Sequence, residues 1–169
     1  MTFDLKQVAR ECDGIAAANG FERPNWDNLV AKLAFAIAEL DEARDGARGH
    51  GSDPLAEELA DTAIRLLSTI YGIWGDDWGD RVTNRVAKEI DTWTPVEVLL
   101  WPILGHICKA IEARRHDARS LACQWIELAL LETFRLADAL SVDLNTEVLA
   151  KCEKNRGRGH LHGKAYAAG

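Results

Sequence analysis

The sequence predicts an all-α protein, an antiparallel bundle of helices with short connections. Three observations carry this. Apolar residues recur every three or four positions along most of the chain, which is the spacing of one helix face. Capping residues, glycines and prolines separate these stretches at helix-length intervals. No stretch of useful length alternates apolar and polar residues as a half-buried strand does.

The first helix is expected over roughly 4–18, with Leu5, Val8, Cys12 and Ile15 on one stripe and Gly20 ending it. The turn Phe21-Glu22-Arg23-Pro24 leads to a second helix over roughly 26–45, whose apolar face is Leu29, Leu33, Ile37 and Leu40. Three glycines between Gly46 and Gly51 make a flexible loop. Asp53 as N-cap and Pro54 as first residue open a third helix over roughly 54–74, with Leu59, Ala63, Leu66 or Leu67, and Ile70 inward. Gly75-Asp76-Asp77-Trp78-Gly79 breaks the pattern, and a shorter helix follows over roughly 80–92. Thr94-Pro95-Val96-Glu97 has the form of a capping box and opens a helix over roughly 95–115, which Pro102 would kink. A helix over roughly 118–140 and a last one capped by Asp143 complete the set, fading at Gly157 and Gly159. Residues 1–158 are expected to form one helical domain and 159–169 a basic, glycine-rich tail.

Composition narrows the function classes. A chain of 169 residues with 47% hydrophobic and 28% charged residues is expected to be one soluble globular domain. The net charge of −7 argues against a nucleic-acid partner, which needs a basic surface. No apolar run approaches the ~20 residues of a membrane span, and the first residues carry no signal-peptide core, so the expected setting is cytoplasmic. The cysteines Cys12, Cys108, Cys123 and Cys152 are scattered without C-x-x-C spacing and are expected to be reduced thiols. No P-loop, Ser/His/Asp order or zinc spacing is present, and His160-x-His162 in the tail carries little weight.

Two pairs of acids carry the functional signal. Glu39 and Glu42 stand three apart on the second helix, and Glu58 and Asp61 three apart on the third. That spacing sets both carboxylates of a pair on one helix face. Packed side by side, the helices would gather four negative charges, which is costly without cations. Hard divalent ions with oxygen ligands, Mg²⁺ above all, meet that need. The alternative is a solvated acidic face. No Lys or Arg stands at i+4 from Glu39 or Glu58, so ion pairs along either helix do not account for these two acids.

This E-x-x-E followed by E-x-x-D in the next helix resembles the MazG-like nucleotide pyrophosphohydrolases of the all-α NTP pyrophosphatase group. Arg23-Pro24-Asn25-Trp26 resembles the lead-in to the first acidic helix of that family. Near the C-terminus, Leu136-Ala137-Asp138-Ala139-Leu140, Val142-Asp143-Leu144 and Lys151-x-x-x-Asn155-Arg156-x-Arg158 resemble its closing helix and K-x-x-x-N-x-x-R element. The chain departs from compact relatives in placing two further helices between Asp61 and Lys151. A weak internal repeat bears on this: Glu42-Ala43-Arg44 matches Glu112-Ala113-Arg114, and Glu58-Leu59-Ala60 matches Glu127-Leu128-Ala129, so Glu39 and Asp61 correspond to Lys109 and Leu130.

The resemblance implies hydrolysis of a (deoxy)nucleoside triphosphate to the monophosphate and pyrophosphate. Glu39, Glu42, Glu58 and Asp61 would hold Mg²⁺, with Mn²⁺ as a substitute. Glu39 or Glu42 would take the proton of the attacking water. Lys151 with Arg156 or Arg158 would offset phosphate charge, Asn155 would bond a phosphate or the sugar, and Trp26 would stack on the base. For Trp26 a packing role stands equally open. Trp74, Trp78, Trp93, Trp101 and Trp125 are expected to be packing residues. The competing readings are a dUTP/dUDP- or single purine dNTP-specific enzyme, a phosphoribosyl-ATP pyrophosphatase, and a helical oligomerisation module with a vestigial site. A homodimer or homotetramer is expected.

Overall fold

The computed structural model describes residues 4–51, 53–79, 82 and 94–158, and all regular structure among them is helical. The helices are α1 (Leu5–Ala18), α2 (Leu29–Ala47), α3 (Leu55–Trp74), α4 (Val96–Leu99), α5 (Trp101–Arg115), α6 (Arg119–Ala139) and α7 (Leu144–Arg156). The helix expected over 80–92 (Val82 apart), Trp93, and the whole C-terminal tail over 159–169 with His160-x-His162 lie outside the described residues.

Local chemistry sets the boundaries. Asp4 caps α1 by accepting from the amides of Lys6 and Gln7, and Asp143 caps α7 by accepting from Thr146. The second helix starts at Leu29, the first residue of its apolar stripe, rather than near residue 26 as expected. The Asn25 side chain accepts from the amides of Asp27 and Asn28, and that turn replaces a first helical turn. At the start of α3, Asp53 makes no side-chain cap; the carbonyl of Pro54 instead accepts from the amides of Glu57 and Glu58. The single helix expected over 95–115 is two: the chain breaks between Leu99 and Trp101, and Pro102 lies in the first turn of α5. Proline has no amide hydrogen and its ring clashes with the carbonyl four residues back, so it suits a first turn rather than an interior. The Thr94 box is likewise not formed, since α4 opens at Pro95 without a side-chain cap.

α3 is the central helix. It packs against α1, α2, α6 and α7, with α2 most closely on its flank, and α5 and α6 form the second close pair. Leu59, Ala63, Leu66, Leu67 and Ile70 of α3 are fully buried, as are Leu29, Leu33 and Ala36 of α2. Ile37 is only partly buried, because Ala36 and Ala43 share the inner stripe of α2 with the leucines. These faces join one apolar core running from Leu5 to Cys152. Burial of Trp78 agrees with a packing role, but Trp101 is 70% exposed. Ile103, Ile107 and Ala110 face inward on α5, and Trp101, two residues before Ile103, falls on the opposite side of the helix. None of the described helices is long and apolar enough to cross a membrane.

Candidate functional site

The close packing of α2 on α3 brings Glu39, Glu58 and Asp61 together. One carboxylate oxygen from each lies within 4.8 Å of the others. Glu58 is only 2% exposed, and its Oε2 has no hydrogen-bond partner. The Glu39 side chain is mostly buried and Asp61 is open at one edge. Glu42 stands apart. It is exposed on the next turn of α2 and is not part of the three-oxygen cluster, although Glu58 and Glu39 both feel its charge.

Two cations of the chain enter this cluster from outside α2. Arg65 of α3 binds Glu39 Oε1 through Nε and Nη2, each at 2.9 Å. Lys151 of α7, 4% exposed, reaches Asp61 Oδ2 at 2.8 Å and Glu57 Oε2 at 3.0 Å. Lys154 adds a bond to Glu57 at 3.3 Å. Arg65 was legible in principle: it follows Asp61 by four residues on the same helix face. Glu57 was not, because it belongs to neither acid pair.

The electrostatics follow from this crowding. Burial pushes the Glu58 carboxyl up to about 7, and the charges of Glu42, Asp61 and Glu39 push the same way against Lys151. Burial also raises Glu39, with the Arg65 guanidinium opposing. Burial alone would lower the Lys151 ammonium, but its bonds to Asp61 and Glu57 outweigh this and hold it above the usual lysine value. Bonds from Lys151 and Lys154 hold Glu57 below the usual carboxylate range.

Asp61 and Arg65 also line a cavity of roughly 300 Å³ between α1, α3 and α7. Phe21, Pro24, Lys32 and Phe35 line it from the segment before α2 and from α2 itself, Cys12 and Asn19 from α1 and its end, and Cys152, Asn155 and Arg158 from α7 and its end. Asn155 and Arg158 thus line the cavity together with Asp61, and Lys151, one turn before Asn155 on α7, pairs with that acid directly. Asn155 Oδ1 is buried with no partner. Arg156 is directed elsewhere, into ion pairs with Glu11 and Glu153. Trp26 does not line the cavity. It packs edge-on against Trp74, between the guanidiniums of Arg114 and Arg119, and its Nε1 donates to Asp117 at 2.7 Å. The aromatic rings at the cavity are Phe21 and Phe35, which nothing in the acid motif marks.

Comparison with protein families, curated proteins and solved structures finds no significant match.

Proposed function

We propose that this protein is a metal-dependent nucleotide pyrophosphohydrolase of the MazG-like type, acting on a (deoxy)nucleoside triphosphate. The observation that carries the reading is the convergence of Glu39, Glu58 and Asp61, of which Asp61 also lines a cavity, with a buried Glu58 oxygen left without a partner. Three hard oxygen donors from two rigid helices fit Mg²⁺ or Mn²⁺. When bound, such an ion supplies Lewis acidity, drawing charge from phosphate oxygens and making water a stronger nucleophile.

The chain's own groups account for the rest. Glu39, Glu58 and Asp61 hold the cation. Glu42, exposed on the next turn of α2, would accept a proton from water or complete the ligand set. Lys151 and Arg65 carry positive charge at the same spot and offset charge on the phosphates. The cavity is at the small end of ligand pockets, so it suits a base and sugar with the phosphates lying over the acids. Phe21 and Phe35 offer ring faces, and Asn155 Oδ1 offers an acceptor for a base amino group or a sugar hydroxyl. Exposed Trp101 and Val98 give an apolar surface that self-association would cover, in keeping with a homodimer or homotetramer.

One observation favours a different reading. Arg65 and Lys151 already pair with two of the three acids, as they would in a helical module that has no use for a metal. The test is release of pyrophosphate from a panel of ribo- and deoxynucleoside tri- and diphosphates, with Mg²⁺ and with EDTA. Metal-dependent release with monophosphate as co-product supports the enzyme and names its substrate. Activity on diphosphates points to the dUTP/dUDP version. No hydrolysis with either metal leaves the phosphoribosyl-nucleotide substrate or the non-catalytic module.

A further inference from the structure

Cys12 of α1 and Cys152 of α7 meet at the wall of the cavity with their sulfurs 3.5 Å apart. Each is 2% exposed, so what reaches them is a small solute inside the cavity rather than bulk solvent. α1 and α7 pack against each other, so the two backbones hold the thiols in register. Neither sulfur is needed by the acid cluster. We propose that Cys12 and Cys152 are a redox site that closes to a reversible intramolecular disulfide on reaction with hydrogen peroxide.

The chemistry balances with peroxide alone. The Cys152 thiolate attacks one peroxide oxygen; an S–O bond forms, the O–O bond breaks, and the hydroxide released takes up the Cys152 proton as water. Cys12 then attacks the Cys152 sulfur; the S–S bond forms, the S–O bond breaks, and the second hydroxide leaves as water with the Cys12 proton. Two thiols and one peroxide give one disulfide and two waters, with two electrons passing from sulfur to oxygen. The hydrogen bond between the two thiols holds Cys152 below its ordinary value against burial, and that bond together with burial pushes Cys12 up, which favours Cys152 as the attacking sulfur. Closing the 3.5 Å gap to a bond of about 2 Å requires side-chain rotation and a small approach of two packed helices. The link would join residues 140 positions apart and so remove much of the freedom of the unfolded chain.

The experiment uses the full chain carrying Cys108→Ser, since Cys108 is exposed and would join chains to one another. The protein is treated with hydrogen peroxide, digested without reduction and mapped by mass. The expected result is a Cys12–Cys152 linked peptide, reversed by dithiothreitol, with a melting temperature higher by roughly 5–15 °C in the oxidised form. Cys12→Ala and Cys152→Ala should each abolish the link and the melting shift. Recovery of both thiols for alkylation after peroxide treatment and denaturation overturns the proposal, as does conversion of Cys152 to sulfinic acid without a link. The mapping is read on a chain in which both buried thiols are intact, so misfolding of an alanine variant does not decide the matter. Nucleotide hydrolysis is not a readout, so this inference and the pyrophosphohydrolase reading fail separately.

Discussion

Replacing Glu58 by glutamine tests the acid cluster without any assumption about substrate. The Glu58 carboxyl is pushed from 4.5 to about 7 in the folded protein. Between these values the unfolded chain has released this proton while the folded protein still holds it. Stability therefore falls as pH rises through the window and stays low above pH 7. The full difference is worth on the order of 3 kcal/mol, reduced to roughly 1–3 kcal/mol by water at the open edge. Glutamine has the shape of the protonated side chain and no charge to bury. Glu58→Gln should then be close to neutral near pH 4.5 and stabilising above pH 7.5, where its melting temperature in EDTA should exceed the wild-type value by about 3–10 °C. Glu39, also raised by burial, shifts wild-type stability in the same direction, so the comparison is the difference between variant and wild type at each pH. Thermal unfolding followed by circular dichroism across pH 4.5–8.5 gives this directly. A Glu58→Gln penalty that is equal at both ends of the range would refute the reasoning, because it would mean that the charge is not what costs stability.

Three further outcomes follow from the same geometry. Saturating Mg²⁺ or Mn²⁺ should raise the wild-type melting temperature by about 5–10 °C, reversibly with EDTA, and should leave Glu58→Gln nearly unmoved in a differential scanning calorimeter. Asp61→Ala and Glu42→Ala should each abolish metal-dependent pyrophosphate release while the far-ultraviolet circular dichroism stays helical; a wild-type rate in Asp61→Ala would sink the mechanism, and a wild-type rate in Glu42→Ala alone would remove Glu42 from it. Gly72→Ala should destabilise by roughly 1–3 kcal/mol in urea unfolding, because a Cβ there would come within 2.8–3.0 Å of the Pro24 ring, with α3 backbone on one side and the cavity-lining segment on the other.

The helices were legible because apolar spacing is a local property, which tertiary packing confirmed in α1 and α3, and because the Asp143 cap marked the start of α7. Where the reading missed, side chains and proline overruled periodicity: Asn25 captured two amides before α2, and Pro102 divided one expected helix into α4 and α5. Three of the four acids were legible as a cluster because i, i+3 spacing on two packed helices leaves little choice of face. Glu42 was not separable from Glu39 by spacing, since both lie on the acidic side of α2 and only the packing against α3 shows which one enters the cluster. Lys151 as a counter-charge of the cluster, and Phe21 and Phe35 as the cavity's rings, depend on how α7 and the segment before α2 pack around α3, which no spacing rule encodes.

The α5/α6 pair argues that the acids of α2 and α3 are more than a consequence of packing two such helices. If Glu58 corresponds to Glu127, the positions of Glu39 and Asp61 fall on Lys109 and Leu130. Glu127 is buried much as Glu58 is, but its Oε1 accepts from the amide of Gly79 at 2.7 Å and from the Cys123 thiol at 3.7 Å. A Cβ on Gly79 would come within 3.3 Å of that carboxylate, so a side chain there would make the carboxylate give by a few tenths of an ångström. Lys109 lies over the ring of Trp125. A close helix pair of this kind can therefore bury one acid and satisfy it with the chain's own backbone. The α2/α3 pair instead concentrates three acids and leaves an oxygen of the most buried one without a partner. A carboxyl pushed up to about 7 by burial, with its acidic neighbours adding to it, lowers stability at neutral pH unless a ligand offsets the charge. A cation that binds through Glu58 must then release its proton, so its apparent affinity should rise steeply as pH increases from 6 to 8. Isothermal titration of Mg²⁺ into the protein in two buffers of different ionisation enthalpy measures that proton. No proton release at pH 6.5 would mean that the cation, if it binds, does not bind at Glu58.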